Sequence, residues 1–138
     1  MTLALDAGAL IGLLDPRDSH HPAATVVFDG ETHFLVHPVN IAEALVNPDR
    51  HDRALDAYED LRRLGVRRAS LGDNEELILA HVRRKYRLRM PDACALAVAI
   101  HEDIPLVTFD KRLAAAADRL GLFLAVDPAM HAGAPSLD

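Results

Sequence analysis

The chain of 138 residues has a single cysteine, no tryptophan, and aromatic side chains at only 4% of its positions. One cysteine excludes a disulfide framework and a cysteine-rich metal centre, and it suits a reducing, cytoplasmic compartment. Cys94 lies inside an apolar helical pattern, where a thiol serves as a small hydrophobe. So few aromatics suggest no stacking platform for single-stranded nucleic acid. Positive charge is in deficit: 15 Lys and Arg face 21 Asp and Glu, a formal charge of -6. That balance argues against a protein that coats nucleic acid through a general positive field. Long apolar runs are also missing. "MTLALDAGALIGLLD" has no basic leader and meets Asp6 early, and it is far shorter than the ~20 residues of a membrane span. It reads as strand and helix of the mature fold, with no membrane partner. There is no GxGxxG, no Walker sequence and no GxSxG elbow. The eight histidines include no HExxH, and the i,i+4 pair His33 and His37 flanks a strand candidate instead of sharing a helix face, which assigns them ordinary surface and core roles. Among them His37 stands out, because it immediately precedes the turn leading to Glu43.

What is present is an apolar half. At 50% hydrophobic residues a chain of this length buries roughly two thirds of its unfolded surface in one core. One domain over residues 1–127 and a short tail over 128–138 account for it. "LALDAG" is a buried strand ending in a turn, followed by the helical turns of "ALIGLL". A short helix runs from His20 to Phe28, with Pro22 in its first turn. "HFLVHP" is a strand ended by Pro38, "IAEALVN" a short helix stopped by Pro48, and "DRALDAYEDLRRLG" a helix closed by Gly65. "VRRASL" is a weak edge strand. "DNEELILAHVRRKY" is a helix with Leu77, Ala80 and His81 or Val82 inward, and the next helix takes Pro91 in its first turn and buries Ala93, Leu96, Ala97 and Ile100. "PLVTF" and "LFLAV" are strands on either side of the helix "KRLAAAADRLG". Strands alternating with helices, several of them continuously apolar, predict an α/β fold: a three-layer sandwich with a mostly parallel sheet of four or five strands and the first strand central.

In such a sheet the site lies beyond the carboxyl ends of the strands. Asp6 follows the first strand, Glu43 opens the helix after the second, Asp92 opens the "ACALAVAI" helix and Asp110 follows "PLVTF". Each has a local role available. Asn40 with Glu43 forms a variant capping box, Asp92 favours the helix dipole, and Asp110, with Thr108, caps the helix ahead of Lys111. Together they gather like charges at one rim, which raises a carboxyl pKa and which a divalent cation relieves. Mg²⁺ or Mn²⁺ suits such hard oxygen ligands better than zinc does. Two basic groups, Arg62, Arg63, Arg67 and Arg68, and then Arg83, Arg84, Lys85, Arg87 and Arg89, are solvated faces or phosphate contacts. The second leads straight into Asp92.

Taken as a set, "LALDAGALIGLL" with Asp6, "VNIAEAL" with Glu43, "RMPDACALAVAI" with Asp92 and "IPLVTFDKRL" with Thr108 and Asp110 resemble the PIN domain family. The likeness is to its single-domain toxins of VapBC-type toxin–antitoxin pairs, and it runs from Leu3 to about Val126. The resemblance implies a metal-dependent ribonuclease. Asp6, Glu43, Asp92 and Asp110 would form its acidic centre, with Asp6 and Asp92 the principal Mg²⁺ ligands, Mn²⁺ an alternative ion, and Thr108 in support. It also implies an RNA substrate, a small antitoxin partner that supplies DNA binding indirectly, and a homodimer for which the helices between Asp52 and Tyr86 offer an apolar face. Where relatives often carry an aromatic a few residues after the last aspartate, this chain has Leu113, which bears on packing. Two other classes compete. A non-catalytic binding module could keep the fold, and a receiver-type phosphoacceptor domain is a small doubly wound sheet too, although it needs paired acidic residues after the first strand.

Overall fold

A computed structural model describes residues 1–30 and 33–126; the tail from 128 to 138, with His131, lies outside them. Among these residues four strands, β1 (Thr2–Leu5), β2 (His33–Val36), β3 (Val66–Arg68) and β4 (Leu106–Val107), form one sheet in the order β3-β2-β1-β4. Every pairing is parallel, with Ala4 opposite Leu35 on one side and opposite Leu106 on the other. β1 is therefore central and β3 is an edge, as expected. Among the described residues, seven helices cover the sheet: α1 (Ala7–Leu14), α2 (His21–Gly30), α3 (Pro38–Arg50), α4 (Ala54–Arg63), α5 (Glu75–Tyr86), α6 (Met90–Glu102) and α7 (Lys111–Arg119).

Alternation along the strands sorts the side chains into two cores. Leu3, Leu5, Phe34, Val36 and Val107 face a cluster with Leu10, Val27, Ile41 and Leu61 of α1 to α4. Ala4, Leu35 and Leu106 face the opposite cluster with Val82, Leu96 and Leu113 of α5 to α7. Small residues set the spacing on that second face. Every residue from Ala93 to Ala99 is buried, so over this stretch α6 is packed on all sides; its neighbours are β1, β2, β4, α3, α5 and α7. Five of the seven are alanine or cysteine, and their short side chains let the backbones approach closely. Cys94 is fully buried and its thiol is pushed up to about 11, chiefly by burial, so no reactive thiolate forms. Leu113 is fully buried as well, a packing residue.

Several local expectations need correction. α3 begins at Pro38 and passes through Pro48 to Arg50. The proline falls in the last turn, where its carbonyl accepts the His51 and Arg53 N–H groups, so the hydrogen bond it forfeits is at a fraying end. His37, not Asn40, caps α3, with Nδ1 accepting the Val39 N–H at 3.1 Å. Asn40 lies inside the first turn, and the Asn40–Glu43 capping box does not form. On α5 the inward face is Ile78, Leu79, Val82 and Tyr86, while Leu77 and His81 are exposed and Ala80 is too. Ile100, expected in the α6 stripe, is 39% exposed. "LFLAV" contributes only a single parallel bridge, Phe123 to Leu106.

Candidate metal centre and active-site cleft

The carboxyl ends of β1 and β4 deliver two acidic side chains to the same rim. Asp6 leaves β1 and caps α1, its Oδ1 accepting the Ala9 N–H at 3.0 Å. Asp110 follows β4 and caps α7, its Oδ1 accepting the Leu113 N–H at 2.9 Å. Thr108 links the two. Its hydroxyl donates to Asp6 Oδ2 and accepts the Asp110 N–H at 3.1 Å. Asp92 stands in the first turn of α6 and Glu43 is exposed on α3. The four carboxylates line a single cleft of about 330 Å³ together with Gly8, His20, Asn40, Arg89, Pro91 and Phe109. Capping and convergence are both true of Asp6 and Asp110: the helix start is what holds each side chain at the rim.

Asn40 contributes in a way that capping does not describe. It is 1% exposed, and its Nδ2 donates to the Pro91 carbonyl at 3.0 Å, tying α3 to the start of α6. Its Oδ1 is buried without a hydrogen-bond partner among the described residues, an unspent acceptor on the cleft wall. His37 lies elsewhere. With Nδ1 accepting from Val39, the proton belongs on Nε2, which is 3.4 Å from Glu75 Oε1 but outside hydrogen-bond alignment.

The electrostatics are those of a site short of positive charge. Asp6 is 5% exposed and its carboxyl is raised above the ordinary range, first by burial and then by the charges of Asp92 and Asp110; the Thr108 and Ala9 hydrogen bonds work in the opposite direction. Asp92 is raised too, by burial and by Asp110, against a partial offset from Arg89 and Arg112. Like-charge repulsion is present in both, but burial is the larger cause. Arg89 Nε lies 3.5 Å from Asp92 Oδ2 with its own side chain mostly exposed, so this pair adds little to stability. Among the described residues, no three His, Cys, Asp or Glu side chains stand close enough to hold a metal ion as they are arranged. The donors match a hard divalent cation in chemistry, all oxygen and concentrated in one cleft.

The five basic residues singled out before Asp92 divide. Arg89 joins the acidic cleft. Lys85 and Arg87 line a second depression with Tyr86, Arg112 and Arg119, and none of its four cations has a carboxylate within ion-pair distance among the described residues. Arg83 and Arg84 are exposed and line neither. The part played by Arg112 and Arg119 is not legible in the sequence, because α7 reads as an ordinary solvated helix; only the packing of α7 against α6 brings them beside the end of α5. Of the first group, Arg62, Arg67 and Arg68 line a hollow with Tyr58 at the β3 edge, which the acidic cleft does not share.

The chain belongs to the PIN domain family, whose model matches residues 3–119. In fold it is similar to VapC20 of Mycobacterium tuberculosis, a toxin that cleaves the sarcin–ricin loop, with a TM-score of 0.69 at 19% identity, over 92% of this chain and 100% of that one. A toxin–antitoxin complex from Klebsiella pneumoniae gives a TM-score of 0.67 at 21% identity, covering 83% and 91% of the two chains. PAE2754 from Pyrobaculum aerophilum gives 0.54 at 23%, covering 83% and 82%. No curated protein matches the chain. The receiver-type alternative has no place beside the family match.

Proposed function

We propose that this protein is a Mg²⁺-dependent endoribonuclease that acts as the toxin of a type II toxin–antitoxin pair. The observation that carries the proposal is the cleft itself: Asp6, Glu43, Asp92 and Asp110 come from four separate segments, line one depression and belong to a PIN domain. Asp6 and Asp92 would hold the ion, with Glu43 and Asp110 binding it or ordering its water, and Mn²⁺ would substitute. When bound, the ion lowers the pKa of a coordinated water and offsets charge on the phosphoryl oxygens. The chain's own residues do the rest. Thr108 fixes the orientation of Asp6, the free Oδ1 of Asn40 accepts a hydrogen bond from water or substrate, and Arg89 faces the phosphate beside Asp92. Lys85, Arg87, Arg112 and Arg119 take the neighbouring backbone. Hydrolysis would leave a 5'-phosphate and a 3'-hydroxyl.

A cleft of this charge attracts cations, and a small antitoxin would silence it by placing an Arg or Lys among the carboxylates. Any DNA binding would belong to that partner. Exposed Leu55 of α4 and Leu77 of α5 fit the homodimer contact expected on those helices. The rival is a PIN-fold binding module without catalysis. Incubating purified protein with RNA in Mg²⁺, Mn²⁺ or chelator, beside Asp92→Asn, separates the two. The nuclease gives metal-dependent fragments that the variant does not produce, whereas intact RNA under every condition would leave the binding module. Sequencing the 5' ends of the fragments identifies the sites cut.

A further inference from the structure

His20 and Phe109 form a stacked pair in the acidic cleft, with ring centroids 4.7 Å apart and planes 8° from parallel. The local structure around both is organised to hold them. The His20 N–H donates to Asp18 Oδ1 at 2.8 Å, and its carbonyl accepts the Ala24 N–H at 2.9 Å as α2 opens. The next side chain, His21, places Nδ1 2.7 Å from the Gly12 carbonyl of α1. A Cβ on Gly12 would meet the His20 carbonyl oxygen at 3.4 Å, so the missing side chain lets this loop lie tightly on α1. Phe109 is fixed from the other side. It sits between Thr108 and Asp110, both hydrogen-bonded, and packs against the cluster of Leu3, Leu5 and Val107. His20 itself is exposed.

A flat ring, backed by a second ring and open to solvent, offers what any nucleobase accepts, a π face. The scarcity of aromatics in the composition conceals it, since one of the two rings is an imidazole and the pair is separated by most of the chain. We propose that His20, supported by Phe109, is the stacking platform for one base flanking the scissile phosphate of a single-stranded RNA; this rests on the ribonuclease function proposed above. A base held there is unpaired, so the pair selects loops and single strands over duplex.

The test first maps the cleavage site with wild-type protein, then measures binding of an unstructured oligoribonucleotide carrying 2-aminopurine at each flanking position in turn, using Asp92→Asn to prevent cutting. Quenching at one flanking position is expected. Adding His20→Ala should remove the quench and weaken binding roughly 5- to 100-fold, while His20→Phe keeps both. Phe109→Leu, which retains an apolar contact with the core, should weaken the quench as well. An abasic nucleotide at that position should penalise the parent and leave the His20→Ala form indifferent. Equal quenching and equal abasic penalty with and without the His20 ring would overturn the platform. If wild-type protein cuts no RNA, the ribonuclease function fails before any ring is altered, and the platform falls with it.

Discussion

Asp6 performs three tasks with one carboxylate: it caps α1, accepts the Thr108 hydroxyl and faces the cleft. Burial raises its folded pKa above the ordinary 3.8. The folded state therefore holds the proton more firmly than the unfolded chain does, and stability declines as pH rises from 3.8 through the raised value. Removing the charge reverses this. Asp6→Asn, which keeps a capping oxygen, should melt higher than the parent near neutral pH, with the gain shrinking in acid as the parent's carboxyl protonates. Circular dichroism across pH checks the sign. The same variant should lose the Mn²⁺-induced rise in melting temperature expected of the parent; an equal rise in both would remove Asp6 from the metal set. Thr108→Val leaves Asp6 Oδ2 and the Asp110 N–H without their partner, and about 1–3 kcal/mol of stability should go with it, read from urea denaturation; Thr108→Ser should recover most of that loss.

At the level of elements, α6 shows both what the sequence discloses and what it withholds. Its apolar run, the proline in its first turn and Asp92 at its head are visible in "MPDACALAVAI". Full enclosure is not, because a helical stripe marks one face while neighbours on several sides decide how much more is covered. Hence Ile100 turns outward while Cys94, Ala95 and Val98, outside the expected stripe, are buried. The phase of α5 departs from expectation for the same reason: spacing fixes which residues share a face, and only the partner helix fixes which face is inside. The acidic set is legible because parallel strands end at a common rim. The His37 cap is not, since an imidazole acceptor is outside the usual Ser, Thr, Asp and Asn preference. Overpacking measures the enclosure directly. Ala97→Leu should cost about 1–3 kcal/mol or more, whereas Ile100→Gln, on the same helix, should stay within about 0.5 kcal/mol; denaturant midpoints of the two decide it.

On the scale of the molecule, a net acidic chain handles a polyanion only if its cations are concentrated, and Lys85, Arg87, Arg112 and Arg119 are. Converting Lys85 and Arg112 to Gln should weaken RNA binding and flatten its dependence on salt by about one phosphate's worth for each cation removed. The same change at Arg83 and Arg84 should do neither, and parity between the two double variants would return the cluster to the solvated surface. The sheet order has a further effect, on when the acidic cleft is completed during synthesis. β1 has one neighbour in β2 but gains the other only from β4, and Thr108 reaches Asp6 across 102 residues. During synthesis the first half of the acidic set is made early, while Asp92 and Asp110 follow only after most of the described chain has been translated. Partial chains thus carry an unfinished cleft. If cleavage is the function, the ribosome that makes this protein is exposed to it only late in each round of synthesis, and an inhibitor already in solution has that whole interval to be waiting.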